Sequence, residues 1–147
     1  MFATVLLCSL AVSADVTPEQ RELLNLFRDE FISVTPGTGK FPKSFSMGRL
    51  GRAEDANSEQ PVRVVTFGYS FQVARYEVPQ NLWEAVMGEN PSRWKGKRNS
   101  VELFTFEQAQ EFCRRATDLM RRAELISKDD EIRLPSEAEW EYVARAG

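Results

Sequence analysis

Three times along the chain a Ser or Thr stands three residues ahead of a Gln or Glu, with apolar residues at helical spacing behind it. The strings are Thr17-Pro18-Glu19-Gln20, Thr105-Phe106-Glu107-Gln108 and Ser136-Glu137-Ala138-Glu139. Each is a capping box, in which the hydroxyl takes the amide of the third helical residue and that residue's side chain takes the cap amide in return. Three helix starts are thereby fixed by local chemistry. Leu23, Leu24, Phe27 and Phe31 carry the first helix to about Ser33, where Pro36-Gly37-Thr38-Gly39 breaks the pattern. Phe106, Ala109, Phe112, Cys113, Ala116, Leu119, Met120 and Ala123 trace one face of the second. Trp140, Val143 and Ala144 line the third.

Between these helices the pattern turns to strands. Phe45-Ser46-Met47-Gly48, Val62 to Phe67 and Tyr69 to Tyr76 have β composition or alternation. Arg49 to Gln60 is polar and reads as a loop. Leu82, Trp83, Val86 and Met87 mark a short helix stopped by Gly88, and Glu89 to Asn99 is rich in turn residues. Strands and helices alternate without the βαβ rhythm of a parallel sheet, so the expected class is α+β.

Composition removes several chemistries. The 147 residues include no histidine, which excludes imidazole acid–base catalysis, His-ligated zinc and the Ser-His-Asp and Cys-His arrangements. The net charge of -3 gives no electrostatic footprint for nucleic acid. Gly37-Thr38-Gly39-Lys40 is not a phosphate loop, because Val34 and Phe41 stand where that motif needs Gly and Ser/Thr. The arginines Arg114, Arg115, Arg121 and Arg122 read as a solvated helix face. The glutamates Glu137, Glu139 and Glu141 read as cap, dipole-compensating and surface groups.

The apolar stretch from Phe2 to Val12 is too short to span a bilayer, which takes about 20 apolar residues. It runs into Val12-Ser13-Ala14, the small residues of a signal-peptidase site, so segment 1–14 is expected to be a secretory signal and the protein exported to periplasm, cell surface or medium. A buried N-terminal element is the alternative. Val5-Leu6-Leu7 ahead of Cys8 is not a lipidation box. Segment 15–39 is read as an N-terminal helix and linker.

Four strings in order carry a resemblance: Phe45-Ser46-Met47-Gly48; Pro61-Val62-Arg63-Val64-Val65 with Arg75-Tyr76-Glu77-Val78-Pro79-Gln80-Asn81; Ser100-Val101 through Phe106-Glu107-Gln108-Ala109 to Phe112-Cys113; and Arg133-Leu134-Pro135-Ser136-Glu137-Ala138-Glu139-Trp140-Glu141-Tyr142, closed by Ala144-Arg145-Ala146-Gly147. Residues 40–147 resemble the N-terminal portion of the sulfatase-modifying-factor, or formylglycine-generating-enzyme, domain. The fourth string is the most specific. The chain departs from the family in having Phe106-Glu107 where Trp-Asp is common, and Ser136 where Thr is common.

The resemblance implies an α+β fold related to C-type lectins, incomplete here and poor in regular structure. It implies an oxidase that converts a cysteine of a sulfatase-type polypeptide to formylglycine. Complete members are implied to use copper held by two cysteines, with dioxygen, and structural calcium. In the family those ligands lie downstream of the Leu134-to-Trp140 string, so these 147 residues are expected to be inactive alone, and none is assigned a catalytic, cofactor-binding or metal-binding role. The family often has cysteine at Cys113, in some members as a disulfide half; here it is read as that or as a small core residue. Two alternatives stand beside the oxidase reading. One is a non-catalytic binding or scaffold module on the same lectin-like fold. The other is a truncated product whose Phe106, Phe112 and Leu119 lack partners.

Overall fold

A computed structural model describes residues 15–48 and 62–145. The expected signal with Cys8, the polar loop at 49–60 and the closing residues 146–147 lie outside the described residues.

The element order is α1 (Pro18–Asp29), β1 (Phe31–Val34), β2 (Ser44–Met47), β3 (Arg63–Thr66), β4 (Phe71–Ala74), α2 (Gln80–Met87), α3 (Phe106–Arg122) and α4 (Glu137–Ala144). The class is α+β. Both sheets are antiparallel pairs: β1 with β4, in the register Phe31 to Ala74 and Val34 to Phe71, and β2 with β3, from Ser44–Thr66 to Met47–Arg63. All three capping boxes form, with the cap hydroxyl bonded to the third residue's amide and the return bond made each time. Gly88 closes α2 at φ +88, a left-handed position that suits glycine.

Helix α1 ends four residues before the expected limit. Glu30 caps it, and Phe31-Ile32-Ser33-Val34 leaves as a strand. The β-branched Ile32 and Val34 take ladder positions opposite Val73 and Phe71, while Phe31 stays in edge contact with Phe27 at 4.9 Å. Sheet pairing thus overrides the helical spacing.

The main core joins α1, α2 and α3. Leu24, Phe27, Leu82, Trp83, Phe112 and Met120 are buried in it, and Trp83 stacks on Phe112 with ring centroids 5.1 Å apart. The truncated-product alternative left Phe106, Phe112 and Leu119 without partners; Phe112 and Leu119 are in fact buried, and of the three Phe106 is exposed. Phe106 is the first residue of α3. A smaller aromatic core holds Val34, Phe67 and Tyr142, with Phe45 and Phe71 packed around it. It fastens α4 to both strand pairs, 5.0 Å separating the Phe67 and Tyr142 rings.

Candidate functional site

The most family-specific string builds a dense polar cluster around Glu139. Pro135 holds Leu134 out of helical geometry, and Ser136 then starts α4 from an extended conformation (φ -67, ψ 160). Glu139 returns its carboxylate to the Ser136 amide at 2.8 Å. Arg133 lies on the incoming segment and reaches both carboxylate oxygens, at 2.7 and 2.6 Å. The Tyr69 hydroxyl donates the fourth bond at 3.1 Å. Glu139 therefore accepts four hydrogen bonds and is 2% exposed.

These contacts favour its charged form. The Arg133 hydrogen bonds, aided by the Ser136 amide, outweigh burial and pull the Glu139 carboxyl down to about 2. Desolvation, then the bond to Glu139, pushes the Tyr69 phenol up. A carboxylate held charged at neutral pH, with every lone-pair direction occupied, is poorly placed to act as a general acid or base. Glu139 is a cap, as its position in the sequence suggests, but not a surface group. It faces inward with Tyr142, three residues on, and Trp140 turns to solvent at 62% exposure. The inner face of α4 is thus Ala138, Tyr142 and Val143 rather than Trp140, Val143 and Ala144.

The neighbouring glutamates are also structural or free in solvent. Glu141 accepts the Gly48 amide at 2.8 Å and pairs with Arg145, whose guanidinium also donates to the Ser46 and Gly48 carbonyls. Glu137 is exposed in the first turn of α4. The Tyr142 hydroxyl donates to the Pro42 carbonyl at 2.6 Å, locking the helix onto the loop before β2.

A groove of about 730 Å³ runs between α3 and residues 131–136, with Cys113, Thr117, Ile132 and Leu134 among its lining. The four arginines of α3, of which Arg114 and Arg121 line the groove, have local partners. Arg114 and Arg115 share the Glu111 carboxylate, Arg122 pairs with Asp118, and Arg121 donates to the Asp130 carbonyl. The solvated-face reading of these residues is what the structure shows.

Copper held by two thiolates requires a second cysteine beside the first. Cys113 is a free, buried thiol packed with Phe112 and Ala116, and burial raises its pKa away from the thiolate form. Among the described residues no group of three Cys, Asp or Glu side chains is arranged to hold a metal ion. Among the described residues Cys113 therefore has no second thiolate beside it for copper.

Two residues make structural hydrogen bonds that no local sequence pattern marks. Tyr69 meets Glu139 across 70 positions. Gln80, part of the second of the four strings, opens α2, is 2% exposed and organises the loop after α2.

A family profile described as "Sulfatase-modifying factor enzyme 1-like domain" matches residues 17–147. Among curated proteins, a "Chaperone protein LppX" of Paenibacillus barcinonensis is 34% identical over 102 residues, covering 52% of this chain and 36% of the relative. The chain thus spans about a third of the length of that relative. No solved structure matches. The matched segment takes in the capped α1, the helical core and the Arg133-to-Tyr142 anchor together, and the chain belongs to the family of sulfatase-modifying factor enzyme 1-like domains.

Proposed function

We propose that these residues form the frame of a sulfatase-modifying domain, in a protein that acts on a sulfatase-type polypeptide by converting a cysteine to formylglycine. The frame carries no redox chemistry of its own. The observation behind this division is the saturation of the most family-specific string: Glu139 accepts four hydrogen bonds, and the Tyr142 hydroxyl is bound to Pro42. Groups so fully engaged hold a fold together and leave nothing free for a substrate. The proposal includes a lectin-like arrangement for the complete domain. It includes copper and calcium for complete members, with no described residue of this chain assigned to either. It includes export, on the strength of the apolar run ending in Val12-Ser13-Ala14.

A second reading is a polypeptide-binding module without chemistry. It is favoured by the relative's name, a chaperone, over the aligned 102 residues.

Incubation with copper, dioxygen and a Cys-x-Pro-x-Arg peptide tests both, with peptide mass as the readout. The 147-residue chain is expected to leave the mass unchanged. A longer protein containing it is expected to produce the aldehyde. Aldehyde formed by the 147 residues alone would overturn the frame assignment. Peptide binding by the longer protein without any mass change would favour the binding module.

A further inference from the structure

The loop after α2 concentrates positive charge around an exposed indole. Arg93-Trp94-Lys95-Gly96-Lys97-Arg98 holds four of the chain's 19 basic residues, on a chain of net charge -3. Its backbone is pinned from below. The buried Gln80 side chain donates to the Trp94 carbonyl at 2.9 Å and accepts the Gly96 amide at 3.1 Å. The Glu102 carboxylate accepts the Arg93 and Trp94 amides at 3.0 and 3.1 Å. Leu103 follows directly, with φ +60, a left-handed conformation that a leucine rarely adopts.

Apolar groups on this fixed support remain in water. Trp94 is 66% exposed and Leu103 69%. Arg93 lies over the Trp94 ring at 5.1 Å. Arg98 pairs with Glu30, but among the described residues Arg93, Lys95 and Lys97 have no carboxylate partner.

We propose that this edge docks on an anionic bilayer surface, with Trp94 and Leu103 entering the headgroup boundary and Arg93, Lys95 and Lys97 lying against lipid phosphates. The mixture of groups favours lipid over an acidic polypeptide. Acidic side chains would satisfy the cations and leave the indole and leucine in water. An anionic interface takes both, since tryptophan settles at headgroup depth and basic side chains are drawn to the negative surface.

The test uses the full chain, with a Trp140→Phe background so that Trp94 is the exposed fluorophore. Vesicles of phosphatidylcholine alone are compared with vesicles that also contain phosphatidylglycerol, by co-sedimentation and indole emission. Co-sedimentation only with the anionic vesicles, with a blue shift and weakening in salt, is expected. The combined Arg93→Gln, Lys95→Gln and Lys97→Gln variant should lose at least about tenfold in partition. Trp94→Ala should abolish the blue shift. These are surface changes, and unchanged circular dichroism confirms that the variants fold. Failure to sediment with either vesicle overturns the proposal, as does equal binding to both, or a triple variant that partitions like the parent. Binding to soluble polyglutamate without binding to vesicles would assign the edge to an acidic polypeptide instead.

Discussion

Arg133 grips Glu139 with both prongs of its guanidinium, Nη1 on Oε2 at 2.7 Å and Nη2 on Oε1 at 2.6 Å, and only the carboxylate is out of water. The glutamate side chain is 2% exposed and the arginine 46%. Removing the two charges therefore has unequal consequences. A buried carboxylate without its counter-ion is far worse placed than a solvated guanidinium without its anion.

Arg133→Met is accordingly expected to destabilise the fold by about 3 kcal/mol, the usual result of stranding a buried charge. Glu139→Gln keeps the shape and part of the cap, and is expected to cost about 1 kcal/mol. Denaturant midpoints of the two variants read the difference directly. Equal losses, or a larger loss for Glu139→Gln, would mean that the pair does not work as described.

The same pair sets an acid limit. The folded-state pKa of Glu139 is about 2, below the ordinary 4.5, so its contribution is present above pH 4.5 and is lost as pH falls towards 2. Glu111 also lies at about 2, held by Arg114 and then Arg115, but on an exposed helix face that salt screens. In high salt, the parent should therefore lose stability between pH 4.5 and 2 more steeply than Glu139→Gln. Parallel profiles would remove Glu139 as the cause.

These residues also mark what the sequence can and cannot reveal. The helix starts at Thr17, Thr105 and Ser136 were legible because a capping box closes within three residues. The Gly88 stop was legible because glycine suits the left-handed position. The end of α1 was not, because Phe31 fits a helical spacing equally well until Ile32 and Val34 find β4 some 40 positions later. Burial of Glu139 was likewise hidden, since one of its partners, Tyr69, is remote in sequence. The family was legible from the order of four local strings. The loop's support by Gln80 was not, since that glutamine carries no local mark of burial.

Tyr142→Phe isolates a single hydrogen bond. The ring remains in the aromatic core against Phe45 and Phe67, while the Pro42 carbonyl loses the hydroxyl at 2.6 Å. A loss of about 1–2 kcal/mol is expected. Tyr142→Ala removes the wholly buried ring too and should cost about 3–5 kcal/mol. Similar midpoints for the two variants would show that the aromatic core does not anchor α4.

Gly88→Ala probes backbone conformation without crowding. An added Cβ would meet nothing within 4 Å, and φ is +88, so any loss arises from the left-handed geometry alone. About 1 kcal/mol is expected. A neutral result would indicate that the end of α2 can close with a different backbone geometry.

Cys113 gives a readout of packing in the helical core. The thiol sits on the inner face of α3, 9% exposed, and burial raises its pKa. Disulfide exchange needs an accessible thiolate, and both access and ionisation are suppressed here. A chromogenic disulfide reagent should therefore react slowly with Cys113 in the native chain and rapidly in denaturant. The comparison is made in a Cys8→Ser background, so that one thiol reports. Cys113→Ala should be nearly neutral because it leaves only a small gap, whereas Cys113→Arg should unfold the region by placing a charge beside Phe112 and Ala116. Rapid native reaction that saturates without unfolding would mean that the α3 face opens readily, and Cys113 would then be available to a partner rather than serving as a filler of the core.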